Sequence, residues 1–99
     1  AMTVEFTDGT TVVATAEPVS TDVDGEAVIL HPATGQYHGL NAVGTAIWRR
    51  LEEQATVAAL AASVGAAYDE PADRIRQDVE AFLADLHAAD LIRVNGSPP

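Results

Sequence analysis

The stretch Glu26-Ala27-Val28-Ile29-Leu30-His31-Pro32-Ala33-Thr34-Gly35-Gln36-Tyr37-His38-Gly39-Leu40-Asn41 decides how this chain is read. Its first six residues are rich in β-branched and aliphatic side chains and read as a strand. Pro32 to Gly35 supplies turn residues, and Gln36 to Leu40 reads as the returning strand of a hairpin. Asn41 then stands where a short polar side chain can accept the free N–H groups of a helix start. A hairpin that runs straight into a helix divides the chain into a β-rich first part and a helical second part.

Working outward towards the N-terminus, Val4 to Ala16 is rich in Thr and Val and is broken by Asp8-Gly9; Thr11 to Thr15 reads as a strand. Pro18 to Gly25 reads as polar and turn-prone. In the other direction, Val43, Ile47, Trp48 and Leu51 recur at helical spacing, giving a helix from Asn41 to about Glu53. A second helix starts at Thr56, with Val57, Leu60, Ala61 and Val64 on one face. Asp69-Glu70-Pro71 combines a cap candidate, acids near the positive helix end and a proline in the first turn. The third helix then runs to about Ala89 with Ile75, Val79, Phe82, Leu83 and Leu86 as one apolar stripe. Leu91 to Val94 reads as a short last strand and Asn95 to Pro99 as a tail.

The expected fold is therefore α+β: three N-terminal β-strands followed by three helices and a short C-terminal strand. That is the plan of a winged helix-turn-helix. It forms a single domain over residues 1–99 with its core at about 19–94. Such a fold often binds DNA, but fold does not fix function.

Charge bears on that choice. Across 99 residues the formal net charge is −10, with fifteen carboxylates against five basic residues, all of them arginine. Nucleic-acid binders gain affinity by neutralising phosphates with Lys and Arg. The third helix, which would be the recognition helix of a DNA-binding regulator, instead carries Asp73, Asp78, Glu80 and Asp85. The same field favours a neutral or basic partner segment. There is no cysteine, which removes disulfides, thiolate metal sites and Cys nucleophiles. No apolar run reaches membrane-spanning length, so the expectation is a cytoplasmic protein with no membrane partner.

Catalytic and metal constellations are not found. Asp22, Asp24 and Glu26 suggest a calcium loop, but Gly25 falls at loop position four rather than six. His31, His38 and His87 show no ligand-like spacing, and Ser20, Ser63 and Ser97 sit in no nucleophile motif. No cofactor is expected, and the chain reads as a binding module rather than an enzyme.

Three runs carry a family resemblance: Asp24-Gly25-Glu26-Ala27-Val28-Ile29-Leu30, then Thr34-Gly35-Gln36-Tyr37-His38-Gly39-Leu40-Asn41, then Gly44-Thr45-Ala46-Ile47-Trp48. In this order and spacing they resemble the PqqD-like family, the peptide-recognition elements of ribosomal peptide biosynthesis. The version Tyr37-His38-Gly39-Leu40-Asn41 looks most like the stand-alone B1 proteins of lasso-peptide pathways. Tyr68-Asp69, Asp78-Val79, Phe82-Leu83, Leu86 and Leu91-Ile92 continue the likeness, which covers roughly residues 19 to 94. The resemblance implies a small winged-helix domain that binds the leader of a precursor peptide as an extra strand beside the third strand and third helix. It implies a leader peptidase of B2 type and an ATP-using cyclase as further partners. The alternative within the family is a chaperone for a radical-SAM peptide-modifying enzyme. An accessory domain that only stabilises a partner enzyme is a third possibility.

The expected peptide-binding residues follow from where strand addition would occur. It needs an open strand edge and an apolar wall. Gln36, Tyr37, His38, Gly39 and Leu40 supply the edge, and Arg74, Ile75, Asp78, Val79 and Phe82 supply the wall. If Tyr37 and Gly39 face one side, Gln36, His38 and Leu40 face the other. Gly39 admits close approach of a second backbone, or marks a bend before the helix. Leu40, Ile75, Val79 and Phe82 have a competing role in the core. Tyr37 either walls the groove or covers the sheet. Arg74 and Asp78, four apart, either pair with each other or clamp polar groups of the peptide. A proline at His38 tests whether that residue's N–H pairs with the peptide.

Overall fold

A computed structural model of the protein describes residues 6–95. Residues 1–5 and 96–99, which include most of the expected C-terminal tail, lie outside the described residues. The elements run β1 (Thr11–Ala14), β2 (Val19–Val23), β3 (Glu26–His31), β4 (Gln36–Gly39), α1 (Ala42–Arg50), β5 (Ala55–Thr56), α2 (Val57–Ala67), α3 (Ala72–Ala88) and β6 (Ile92–Asn95). Mixed α and β content with three helices is as the sequence predicts. The strands differ from expectation: they form two antiparallel sheets of three, in the orders β5-β1-β6 and β2-β3-β4.

The sequence reading misses two strands, the two-residue β5, which pairs with β1 at Thr11↔Thr56 and Val12↔Ala55, and β2. Val19–Val23 was expected as part of a turn-prone segment, but it pairs with β3 from Val19↔Leu30 to Val23↔Glu26. The connecting residues are Asp24 at φ 53° and Gly25 at φ 84°. Two consecutive residues at positive φ are what a two-residue type I′ hairpin turn requires, and Asp-Gly is a preferred pair for it. All five β2 residues are exposed, so the strand has no hydrophobic alternation to announce it. β1, outside the expected core, is also part of the folded body: Val12 is fully buried, and the strand pairs with β6 from Thr11↔Asn95 to Ala14↔Ile92.

The hairpin at the centre of the sequence folds as read. β4 pairs with β3 in the register Val28↔Gly39, Ile29↔His38, Leu30↔Tyr37 and His31↔Gln36. Along β3 burial alternates, with Ala27, Ile29 and His31 turned inward. Gly35, at φ 72°, takes the left-handed position that closes the loop.

Asn41 caps α1, its side chain accepting from the Gly44 N–H at 2.8 Å. Thr56 caps α2 in the same way through the Ala59 N–H at 3.1 Å. α1 ends at Arg50, three residues before the expected limit, with Leu51 closing its last turn. The start of α3 is not the expected one. Pro71 occupies the N-cap position, and no side chain caps the helix.

The core lies where the three helices meet the inner faces of both sheets. Ile75, Val79, Leu83 and Leu86 bury one side of α3, and Ile47, Trp48 and Leu51 bury one side of α1 and its end. Burying an aliphatic side chain of this size is worth about 1.5–3 kcal/mol. The β2-β3-β4 sheet is tied to α1 by a buried hydrogen bond in which the Ala27 N–H donates to Thr45 Oγ1 at 2.8 Å. The other sheet is tied in through the backbone: the Ala14 N–H donates to the Leu51 carbonyl at 2.8 Å and the Thr15 N–H to the Leu91 carbonyl at 2.9 Å.

Candidate peptide-binding groove

The β2-β3-β4 sheet has two outer strands, β2 and β4, and their surroundings differ. The inner side of β2 is engaged from below, where Asp22 meets Arg49 of α1 at 2.9 Å. β4 instead lies beside α3, across a cleft of about 310 Å³ lined by His38, Gly39 and Leu40 on one side and Phe82, Asp85 and Leu86 on the other. A sheet margin with an adjoining apolar wall exists at β4.

Backbone geometry fixes which groups β4 presents to its open side. The Leu40 N–H donates to the Ala27 carbonyl at 2.9 Å. In an antiparallel ladder, residues alternate between those bonded to the neighbouring strand and those whose N–H and C=O point away. Leu40, His38 and Gln36 therefore turn their backbone groups to β3, and Gly39 and Tyr37 turn theirs outward. This corrects the idea that the His38 N–H meets a guest strand, since that group belongs to the native hairpin.

Side chains follow the opposite logic of the pleat. His38 shares the inner side with Ile29, is half-buried, and its Nε2 is buried without a hydrogen-bond partner. Tyr37 stands on the outer face at 72% exposure, so it covers the sheet and lines neither cavity beside α3. Leu40 is half-buried against the core and contributes to the cleft. Gln36 is exposed at the far end of the strand.

On α3 the expected residues separate into two groups. Ile75 and Val79 are buried and, with Phe82 and Asp78, line a second cavity of about 250 Å³. This cavity is closed by Val43 and Ile47 of α1 and by Val64 near the end of α2, with Tyr68 and Glu70 contributing from the connection to α3. Phe82 and Asn41 line both spaces, so the two cavities adjoin. Phe82 is only half-buried, although the sequence places it in the middle of the apolar stripe. Arg74 is exposed and lines neither cavity, and among the described residues it forms no ion pair with Asp78. The arginine that does pair on this helix is Arg76, which holds both Asp8 and, at 2.7 Å, Glu80. The hydrogen bond to Asp8 is the main reason its pKa is raised, against the opposing effect of burial.

The groove is apolar in its depths and acidic at its edges. Glu70, Asp78 and Asp85 line it, and no arginine lines either cavity. The sequence reading did not identify Asn41, Val43, Gly44, Ile47, Asp85 and Leu86 as groove residues. The sequence marks Asn41 as a cap, Val43, Ile47 and Leu86 as core and Asp85 as a surface charge, and only tertiary packing brings them together at the groove. Among the described residues, no group of three or more His, Asp or Glu side chains is gathered as metal ligands. No helix there is long and apolar enough to cross a membrane.

Against known proteins, the family model of the coenzyme PQQ synthesis protein D (PqqD) matches residues 26–92. A solved structure of TbiB1 in complex with the TbiA(beta) leader peptide is similar at 32% identity and a TM-score of 0.75, over 88% of this chain and 99% of that one. A lasso peptide synthetase B1 complexed with the leader peptide shares the fold at 21% identity and a TM-score of 0.74, over 83% of this chain and 96% of that one. Among curated proteins none matches.

Proposed function

The chain belongs to the PqqD family, and from that membership we propose that it binds the leader segment of a ribosomally made precursor peptide. The leader is added as a strand to the open margin of β4. The observation that carries this reading is the outward set of Tyr37 and Gly39 backbone groups, on the one margin of the sheet that adjoins cavities against α3. Unpaired N–H and C=O groups on an edge strand are a template for another chain, and strand addition supplies backbone bonds while neighbouring pockets select side chains. We read the fold as a winged helix whose β4–α3 side has become a peptide groove.

Support for the substrate class comes from the likeness to TbiB1, which was solved with a leader peptide. The acidic rim supports a neutral or basic leader segment, since a carboxylate entering beside Glu70, Asp78 or Asp85 meets like charge. The chain acts in this reading as a binding adaptor in lasso-peptide biosynthesis, not as a catalyst. It presents the held leader to a B2-type peptidase and a cyclase in the cytoplasm.

Amide hydrogen exchange with the TbiA(beta) leader peptide as probe tests the proposal. Exchange at Tyr37 and Gly39 should slow on saturation, while His38, already bonded within the hairpin, changes little. Saturable binding that protects β2 instead of β4 would reject the assigned margin, and no binding at all would reject the function.

A further inference from the structure

We propose that Gly44 is a specificity-determining position for the bound peptide. By carrying no side chain it seats the Phe82 ring against the first turn of α1, and the ring in that seat divides the groove into two side-chain cavities. The inference rests on the leader-binding reading above and adds to it a residue that sequence spacing places only in a helix.

Gly44 is buried within α1, and its φ is not among the positive values of the chain. Its backbone therefore does not call for glycine, and within a helix alanine is intrinsically favoured over glycine. Space is what sets Gly44 apart, since a side chain here must displace a neighbour. A Cβ at this position would lie 3.2 Å from both Cε1 and Cζ of Phe82 and 3.3 Å from Asn41 Oδ1, closer than ordinary van der Waals contact. The other glycines near the groove differ. A Cβ at Gly65 would meet Ile75 at an ordinary 3.7 Å, and one at Gly39 would meet nothing within 4 Å.

Of the atoms in the way, Asn41 Oδ1 is held by the hydrogen bond from the Gly44 N–H that caps α1. Phe82 is half-buried and borders open space on two sides. The ring is the part that can give way. Any displacement carries it into the cavity under α1, with Val43, Ile47 and Val79, or into the cleft beside His38 and Leu40. One of the two spaces narrows in either case. In the native seat both remain open, so the matching peptide places one side chain on each side of the ring.

The test compares the wild-type protein with Gly44→Ala, Phe82→Leu and the double variant, using fluorescence anisotropy with labelled TbiA(beta) leader peptide and NMR of the free proteins. Gly44→Ala should fold with a cooperative thermal transition and should bind the peptide at least fivefold more weakly. In the Phe82→Leu background the same alanine should change affinity less than twofold, because the side chain through which it acts is gone. In the free Gly44→Ala protein the Phe82 ring resonances should shift. Unmoved ring resonances, an affinity within twofold of wild type, or an equal loss in the Phe82→Leu background would each overturn the inference. Failure of the wild-type protein to bind would instead reject the leader reading, and this inference with it; the ring measurement on free protein distinguishes the two failures.

Discussion

At the scale of single residues, β4 separates backbone from side chain. Tyr37 and Gly39 offer their backbone groups to the open margin, while His38 and Leu40 turn their side chains to the cleft. Proline is tolerated on an edge strand where the N–H it removes faced outward. Tyr37→Pro should therefore keep the native far-UV circular dichroism spectrum and weaken leader binding about fivefold, the value of one ladder hydrogen bond worth about 1 kcal/mol. His38→Pro should instead damage the hairpin itself, lowering the melting temperature before any peptide is added. If the two variants behave alike in stability, the assignment of inward and outward groups is wrong. A second residue, Thr45, links the sheet to α1. Its Oγ1 accepts from the buried Ala27 N–H, and Thr45→Val keeps the shape but orphans that donor. Urea unfolding should show a loss of about 1–3 kcal/mol with an unchanged denaturant slope; a loss below about 0.5 kcal/mol would mean that the bond does not hold the sheet in place.

At the scale of elements, helix starts offer a paired comparison. Thr56 caps α2 with its side chain, and removing such a cap costs about 1 kcal/mol. In a domain of this size that corresponds to a melting temperature lower by about 4–8 °C for Thr56→Ala. Asp69, which the sequence offers as a cap for α3, makes no such bond, since Pro71 stands at the N-cap position. Asp69→Ala should leave the melting temperature nearly unchanged, and a drop equal to that of Thr56→Ala would show that Asp69 caps the helix after all. The same contrast explains what the sequence makes legible. β3, α1, α2 and α3 are readable because each carries a buried periodic face, and β4 because the Gly35 turn returns the chain from β3. β2 is not, because all five of its residues are exposed and only the Asp24-Gly25 turn betrays it. The groove is half legible. Local alternation places His38 and Leu40 on one side of β4, and helical spacing finds Ile75, Val79 and Phe82. Gly44, Val43 and Asp85 join them only through the crossing of α1 and α3, which no local pattern encodes.

At the scale of the whole molecule, charge works against compactness and sets the choice of partner. With a net charge of −10, the folded chain gathers excess carboxylates that repel one another. The described ion pairs are Arg49–Asp22 and Arg76 with Asp8 and Glu80, with His31 facing Asp90. The two arginine sites lie at or near the surface, where such a pair contributes about 0–1 kcal/mol. Repulsion acts over the whole surface and should outweigh them. Raising the salt concentration from 10 mM to 150 mM shortens the screening length from about 30 Å to about 8 Å. Repulsion between separated carboxylates then fades, while contacts at hydrogen-bond distance fade less. The melting temperature should therefore rise with added sodium chloride over this range. A fall would mean that the arginine pairs carry more of the stability than their exposure allows. The same field predicts no retention of duplex DNA even at the lower salt concentration, where phosphate binding is strongest. A leader peptide should bind at both concentrations, because its attachment depends on backbone pairing and apolar side chains rather than on phosphate neutralisation.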